Sequence, residues 1–294
     1  AGFAVEAKPF SVGVRAEHLQ SDINNALYGD FAPLLDAADY KLATHLENGR
    51  GVFTFCMCPG GEVINASSEN GGIAVNGMSR NARDGVNSNS AVLVGITPDD
   101  FADGDVLEGC NLQRKIEQAA YKKGNGKVPV ITFGNFAFSD KTPIGRIKPT
   151  VRPYTEVDSF DGIFPEYINS ALMKGIIRFG KSIAGFDCHD AVISAAETRS
   201  SSPVRIERDE NGVSVSVKGI YPCGEGAGYA GGIMSAATDG IKAAEKLVET
   251  IKEKHPKKDV CYFPDFAAIA DFVYNNAVEG DLVITMGAGD IYRV

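Results

Sequence analysis

The chain has 294 residues, 44% of them hydrophobic and 23% charged, with 38 acidic against 29 basic side chains and a net charge of −9. That composition belongs to a globular protein of one large or two ordinary domains. There is no basic run to track a nucleic-acid backbone and no apolar run of about 18 residues or more, so nucleic-acid binding and a membrane-spanning helix are not expected.

The start, Ala1-Gly-Phe-Ala-Val-Glu-Ala-Lys-Pro, lacks the charged-then-apolar order of a secretory signal and reads as the middle of a larger protein. Cys56, Cys58, Cys110, Cys188, Cys223 and Cys261 show neither Cys-x-x-Cys nor zinc-ligand spacing. Reduced thiols in a cytoplasm are therefore the expectation, and no metal site is expected.

Residues 3–16 read as extended chain broken at Pro9, and Ser21 reads as the N-cap of a short helix over 21–28. Short β-type runs follow at 40–45, 51–58, 62–66 and 72–76, separated by Gly, Asn and Ser turns, which predicts an antiparallel meander. A buried strand is expected over 91–96, and Pro98 opens a loop. The spacing predicts a helix over 107–123 and a strand over 128–136. Residues 139–161, with Pro143, Pro149 and Pro153, read as a long irregular connection, and 165–179 as an amphipathic helix with Pro165 near its first turn. Strands over 204–208 and 213–218 flank Asn211-Gly212, a hairpin signal.

The chain is organised around residues 218–253, which read as a short strand, a glycine-rich turn and a long helix. Gly224, Gly226, Gly228, Gly231 and Gly232 let backbone N–H groups approach a ligand. Ile233, Ala237, Ile241, Ala244, Val248 and Ile251 fall at helical spacing, an apolar face expected to pack on a sheet. The free N–H groups and positive dipole end at the helix start attract phosphate or another electron-rich group.

Several readings of this segment are open. Gly226-Ala-Gly-Tyr-Ala-Gly231 matches the G-x-G-x-x-G dinucleotide fingerprint, with Asp259 or Asp265 as the acidic ribose partner; but the helix runs into Lys254-His255-Pro256-Lys257-Lys258 and no βαβ unit follows. A plain turn that packs a helix on a sheet is the second. The third is a resemblance. Tyr221-Pro-Cys-Gly-Glu-Gly-Ala-Gly-Tyr-Ala-Gly-Gly-Ile233, followed by Ser235-Ala-Ala-Thr-Asp-Gly240, resembles the C-terminal FAD-contacting motif of a family of uncharacterised FAD-dependent dehydrogenases (NAD/FAD-utilising dehydrogenases), related to glutathione reductase.

The same resemblance extends over residues 1–253 through Lys8-Pro-Phe-Ser-Val-Gly-Val-Arg-Ala-Glu-His18, Phe53-Thr-Phe-Cys-Met-Cys-Pro-Gly-Gly61, Asn76-Gly-Met-Ser79 with Arg83, Asn89-Ser-Ala91 and Glu197-Thr-Arg-Ser-Ser-Ser-Pro-Val-Arg-Ile206. It implies FAD as cofactor, with NAD(P)H as a further redox partner, and Glu225 as the ribityl partner. Backbone from Gly224, Gly226, Ala227, Gly228, Tyr229, Ala230, Gly231, Gly232 and Ile233 would face the pyrophosphate or the flavin N1/C2=O edge. The family's N-terminal FAD fingerprint lies upstream of anything in this chain, so the chain alone is expected to bind FAD weakly or not at all. Residues 259–294 instead resemble the end of UDP-N-acetylmuramate–L-alanine ligase, without its ATP loop, and are expected to be a foreign piece joined near 254–258 with no ligase activity.

Three groups are candidate catalytic residues. Cys56 and Cys58 share a strand face and could exchange electrons with a flavin, or simply line a pocket as buried thiols. The turn Pro59-Gly60-Gly61 could bring backbone to the ring. Arg83, with Asn76, could place a cation and an amide near the isoalloxazine or an acidic substrate, or be a solvated arginine on a polar turn. Arg199 could grip a carboxylate substrate or a phosphate bidentately, or pair structurally with Glu197. His18 and His189 are lone histidines with packing or surface roles as the default.

The expected fold is α+β: a mostly antiparallel substrate-type domain over 1–216, the last strand-turn-helix of a glutathione-reductase-like (Rossmann-type) FAD-binding domain over 217–254, and a short α/β tail over 255–294. The expected function is that of the C-terminal part of an FAD-dependent oxidoreductase that moves a hydride between flavin and a small substrate or NAD(P)H. The alternatives are a non-catalytic binding fragment and, from the tail alone, a cell-wall ligase.

Overall fold

The computed structural model describes residues 2–101, 104–263 and 265–283. The elements in chain order are β1 (Val5–Ala7), β2 (Phe10–Leu19), α1 (Gln20–Tyr28), β3 (Ala43–His45), β4 (Gly51–Cys58), β5 (Gly61–Asn65), β6 (Val75–Ser79), β7 (Asn87–Ile96), α2 (Glu108–Lys123), β8 (Val128–Thr132), α3 (Phe133–Phe138), β9 (Tyr154–Glu156), α4 (Glu166–Gly180), β10 (Val192–Glu197), β11 (Val204–Ile206), α5 (Ile233–Lys254) and α6 (Phe266–Asn276). This is a mixed α+β fold. Seven strands form one sheet in the order β3-β4-β7-β2-β10-β8-β9, with only β8 and β9 parallel. The hairpin β5–β6 and the pair β1–β11 are separate two-stranded sheets.

Strand β2 lies in the middle and is buried on both faces. Side chains alternate along a strand, so its two faces differ. Val12, Val14 and Ala16 continue an apolar surface through Val92 and Val94 of β7 and Val52 of β4. Helix α4 covers this surface with Ile168, Leu172, Ile176 and Phe179, one stripe at helical spacing. The opposite face of β2 carries Ser11, Arg15 and Glu17, also buried. Helix α2 and the β5–β6 hairpin lie against the sheet there.

Several elements differ from the sequence reading. Helix α1 begins at Gln20 behind Leu19, with no side-chain cap, so Ser21 is not its N-cap. The strand expected over 128–136 ends at Thr132, whose Oγ1 accepts the Asn135 N–H (3.4 Å) and caps α3. The expected meander is split, because β5 and β6 pair only with each other while β4 pairs with β7. The Asn211-Gly212 turn forms, but only one bridge, Arg208 to Ser214, closes behind it. Strand β11 pairs instead with β1, Val5 facing Ile206. Residues 218–222 form no strand, having no ladder partner among the described residues. Strand β10, unmarked in the sequence reading, sits between β2 and β8.

Helix α5 has no buried residue, and Ile233, Ile241 and Leu247 are 83%, 47% and 41% exposed. The apolar face expected to cover a sheet is thus exposed at Ile233 and Ile241 and only half-buried at Ala244, Val248 and Ile251. Beyond it, Asp265 caps α6 by accepting the Ala268 N–H (2.8 Å), which spends the carboxylate that the fingerprint reading offered to a ribose. Residues 284–294 of the ligase-like tail lie outside the described residues. Because α6 also buries nothing, cutting the chain after Lys258 is expected to leave the thermal midpoint unchanged within a degree or two. A clear drop in differential scanning calorimetry would show that the tail is part of the fold.

Candidate functional site

The polar face of β2 creates the site. Arg15 is fully buried, and all of its donors have partners. Its Nε donates to Asn89 Oδ1 (2.7 Å), and Nη1 donates to Glu197 (2.9 and 3.1 Å) and to Asn76 Oδ1 (3.3 Å). Its Nη2 donates to the Cys56 carbonyl and meets Cys58 Sγ at 3.5 Å. Burial opposes the charge, but the Glu197 carboxylate and the Cys58 thiol hold the guanidinium protonated, above its usual range. Strand β6 can cross this group only because residue 77 is glycine: a Cβ there would collide with the Arg15 guanidinium and with Asn89.

The glycine-rich segment is clamped next to this network. Arg208 pairs with Asp239 of α5 (2.8 and 3.1 Å), donates to the Pro222 carbonyl (2.8 Å) and lies 3.5 Å over the Tyr229 ring. Asp239 also accepts the Gly224 N–H (2.9 Å), and the Tyr229 hydroxyl donates to the Ile206 carbonyl (2.8 Å). At Gly228, φ is 87° and a Cβ would strike the Val204–Arg205 backbone, so the loop packs flush against β11. The N–H groups of Gly228 and Tyr229 bond back to the Glu225 and Gly224 carbonyls (2.9 and 3.0 Å). They are therefore not free for a ligand, unlike the expectation for this stretch. The Gly232 N–H meets Ser235 Oγ at 3.2 Å. The first N–H groups of α5, from Ile233 onward, remain as donors.

Between this helix start and the sheet lies a cavity of about 600 Å³. Phe55 and Cys56 line it from β4, Gly77 from β6 and Glu197 from β10; Gly232 and Met234 close the other side. A second groove of about 380 Å³ adjoins it, and Arg199 and Glu225 line both. Burial raises the Glu225 carboxyl above its usual range, against the pull of Lys8.

The predicted site residues divide accordingly. Cys56, Arg199, Glu225, Gly231, Gly232 and Ile233 meet at the cavity. Gly226 lines the adjoining groove, while Ala227 and Ala230 are buried in the loop's own packing. Cys58 is buried behind Cys56. Arg83 stands on an exposed turn with φ 51° and lines neither space. The Gly60 N–H is taken by Gln20 Oε1 (2.7 Å), so the Pro59–Gly61 turn does not offer it to a ligand. Arg199 does pair structurally, but with Glu117 (2.6 and 2.8 Å) and Glu69 (3.0 Å), while Glu197 takes Arg15. Arg15, Asp239 and Arg208 were not singled out from the sequence; an arginine and a glutamate two residues apart in an otherwise apolar strand was the available signal for the first.

Elsewhere, His18 is buried with Nε2 on the Phe186 carbonyl (2.8 Å), and His189 is exposed and bonded to Asp140 (2.5 Å). Among the described residues there is no group of three or more His, Cys, Asp or Glu side chains placed to hold a metal, and no helix is long and apolar enough to cross a membrane.

Residues 9–200 match the family described as FAD-dependent protein, C-terminal domain-like. This chain belongs to that family. The FAD-dependent C-terminal domain match covers the sheet, Arg15 and Glu197, and it ends before the glycine-rich loop. An uncharacterised protein of Clostridium beijerinckii is 46% identical over 253 residues, which are 84% of this chain and 47% of the relative. The chain thus spans about half the length of that relative. Shorter stretches are similar to UDP-N-acetylmuramate–L-alanine ligases: 50% identity over 48 residues with that of Acetivibrio thermocellus (16% of this chain, 10% of the ligase) and 46% over 55 residues with that of Caldanaerobacter subterraneus (19% and 12%).

Removing one member of a buried ion pair strands the other charge. Glu197→Gln is expected to lower the unfolding free energy in urea by about 3–5 kcal/mol. Glu62→Gln, which breaks the solvent-exposed pair with Arg80, should change it by less than about 1 kcal/mol. Equal effects would contradict the structural weight placed on Arg15.

Proposed function

We propose that the cavity holds the flavin end of FAD, and that the complete protein is an FAD-dependent oxidoreductase of the cytoplasm. FAD supplies hydride chemistry when bound, with a small substrate or NAD(P)H as the other partner. The observation that carries the reading is the placement of the α5 start, with its unspent N–H groups, across a cavity from Phe55 and Cys56.

The residues present fit a flavin better than a phosphate. About 600 Å³ is ample for a fused ring system. Phe55, Ile233 and Met234 give it apolar walls, and Gly231 and Gly232 keep the approach to the helix start free of side chains. The helix dipole favours an electron-rich ring edge. The arginine at the cavity, Arg199, is already neutralised by Glu117 and Glu69, which disfavours a diphosphate there.

In this reading each group of the chain has a task. The N–H groups from Ile233 onward orient the ring edge and hold negative charge beside it. Phe55 and Met234 exclude water from the ring faces. Glu225, on the ridge between the two spaces, accepts a hydrogen bond from a ribityl hydroxyl. Glu197 fixes Arg15, whose Nη2 in turn holds the Cys56 carbonyl and so the shape of the cavity wall.

FAD added to the purified chain is expected to bind weakly, with Kd on the order of 100 μM, equivalent to about 5.5 kcal/mol. Quenching of flavin fluorescence measures it. FMN should compete and ADP should not; competition by ADP alone would put the nucleotide end here and sink the proposal. Loss of the Glu225 hydrogen bond in Glu225→Ala should weaken FAD by about tenfold, the equivalent of about 1.4 kcal/mol. Unchanged affinity would remove Glu225 from the ribityl role.

A further inference from the structure

We propose that Cys56 and Cys58 form a redox-active dithiol that reduces disulfides entering the cavity between β4 and the start of α5. The case begins with the backbone. The register of β4 on β7 shifts between Phe55 and Cys58, and Cys56 has φ 45°, a conformation that side chains other than glycine rarely adopt. This bulge breaks the strand alternation around the two cysteines. Cys56 turns outward, is exposed and lines the cavity, whereas Cys58 stays buried. Cys58 Sγ lies 3.4 Å from the Cys56 carbonyl oxygen, which keeps the two residues side by side.

The groups facing the pair suit this role. Arg15 of β2 places Nη2 3.5 Å from Cys58 Sγ, and the Ser79 hydroxyl of β6 donates to the Pro59 carbonyl beside it (2.8 Å). Glu197 of β10 and Tyr40, ahead of β3, complete the charged and titratable surroundings. The Cys56 hydrogen bond, together with the Arg15 charge and against burial, brings the Cys58 thiol down to about 6, and the same bond pushes Cys56 up. The pair therefore holds one proton at neutral pH. The exposed sulfur meets the substrate, and the buried one, reachable only through it, resolves.

The chemistry balances within the pair and the substrate. The Cys58 thiolate takes the Cys56 proton, and the Cys56 thiolate so formed attacks one sulfur of a substrate R–S–S–R; the substrate S–S bond breaks, and the first RS⁻ leaves with the proton from Cys58. The Cys58 thiolate then attacks Cys56 Sγ, which forms the 56–58 bond and breaks the mixed disulfide; the second RS⁻ takes a proton from water. The substrate gains two electrons and leaves as two thiols. An external dithiol returns the pair to its reduced state by the reverse exchange. No flavin takes part in these steps, so the inference and the cofactor reading can fail separately.

The test uses the full chain without added flavin. Trypsin releases residues 51–80 as one peptide whose only cysteines are Cys56 and Cys58. After incubation with glutathione disulfide at neutral pH and trapping with iodoacetamide, mass spectrometry should find this peptide two hydrogens lighter and unalkylated, and dithiothreitol should restore two alkylated thiols. In Cys58→Ser the glutathione adduct on Cys56 should persist. In the folded, reduced chain the alkylation rate of Cys56, read on this peptide, should rise with the titration of the pair, with a midpoint near pH 6, and exceed that of Cys110, whose thiol burial pushes up, by about tenfold at neutral pH. Separate adducts or two free thiols in the wild type, no persistent adduct in Cys58→Ser, or a midpoint at the ordinary thiol value would each overturn the proposal.

Discussion

A guanidinium sealed inside the sheet sets the terms for everything around it. Arg15 cannot be hydrated where it lies, so each of its N–H groups needs an acceptor from the protein. Four strands supply them: β4 through Cys56 and Cys58, β6 through Asn76, β7 through Asn89 and β10 through Glu197, with glycine forced at position 77. The demand is cooperative. Strand β10 must be adjacent to β2 for Glu197 to arrive, and β6 must fold over the sheet for Asn76 to arrive. The hairpin β5–β6 thus closes the polar face and builds one wall of the cavity at the same time.

The opposite wall has a different origin. The glycine-rich loop has little apolar content of its own, and its position is held by polar contacts: Arg208 to Asp239, Tyr229 to the Ile206 carbonyl, and the Ile206 N–H to the Ala227 carbonyl (3.1 Å). Helix α5 is attached mainly through Asp239 and leaves Ile233, Ile241 and Leu247 exposed. Its start is well placed against the sheet while its apolar length is only partly covered.

The cysteine pair sits in the sheet wall, on β4. It is held from below by Arg15 and opens above into the cavity, and so it couples the buried charge to the accessible space. Arg199, the residue that chemistry alone would pick to bind an anion, has two carboxylates on it already. Arg15 is likewise paired, with Glu197, and acts on the cavity through the wall it holds in place.

The chain's pattern was enough for the helices at 108–123, 166–180 and 233–254 and for the strands around 51–58 and 87–96. Those features follow from local periodicity, which neighbouring residues alone determine. The structure decided what local pattern cannot encode. Residues 128–136 split because the Thr132 hydroxyl caps a helix, and 218–222 stayed irregular because a strand needs a second strand. Cys56 and Cys58 were separated into an exposed and a buried sulfur by a bulge. Glu197 found Arg15 rather than Arg199 because β10 lies beside β2, a neighbour far away in sequence, and ion pairing in a buried site depends on distance in space.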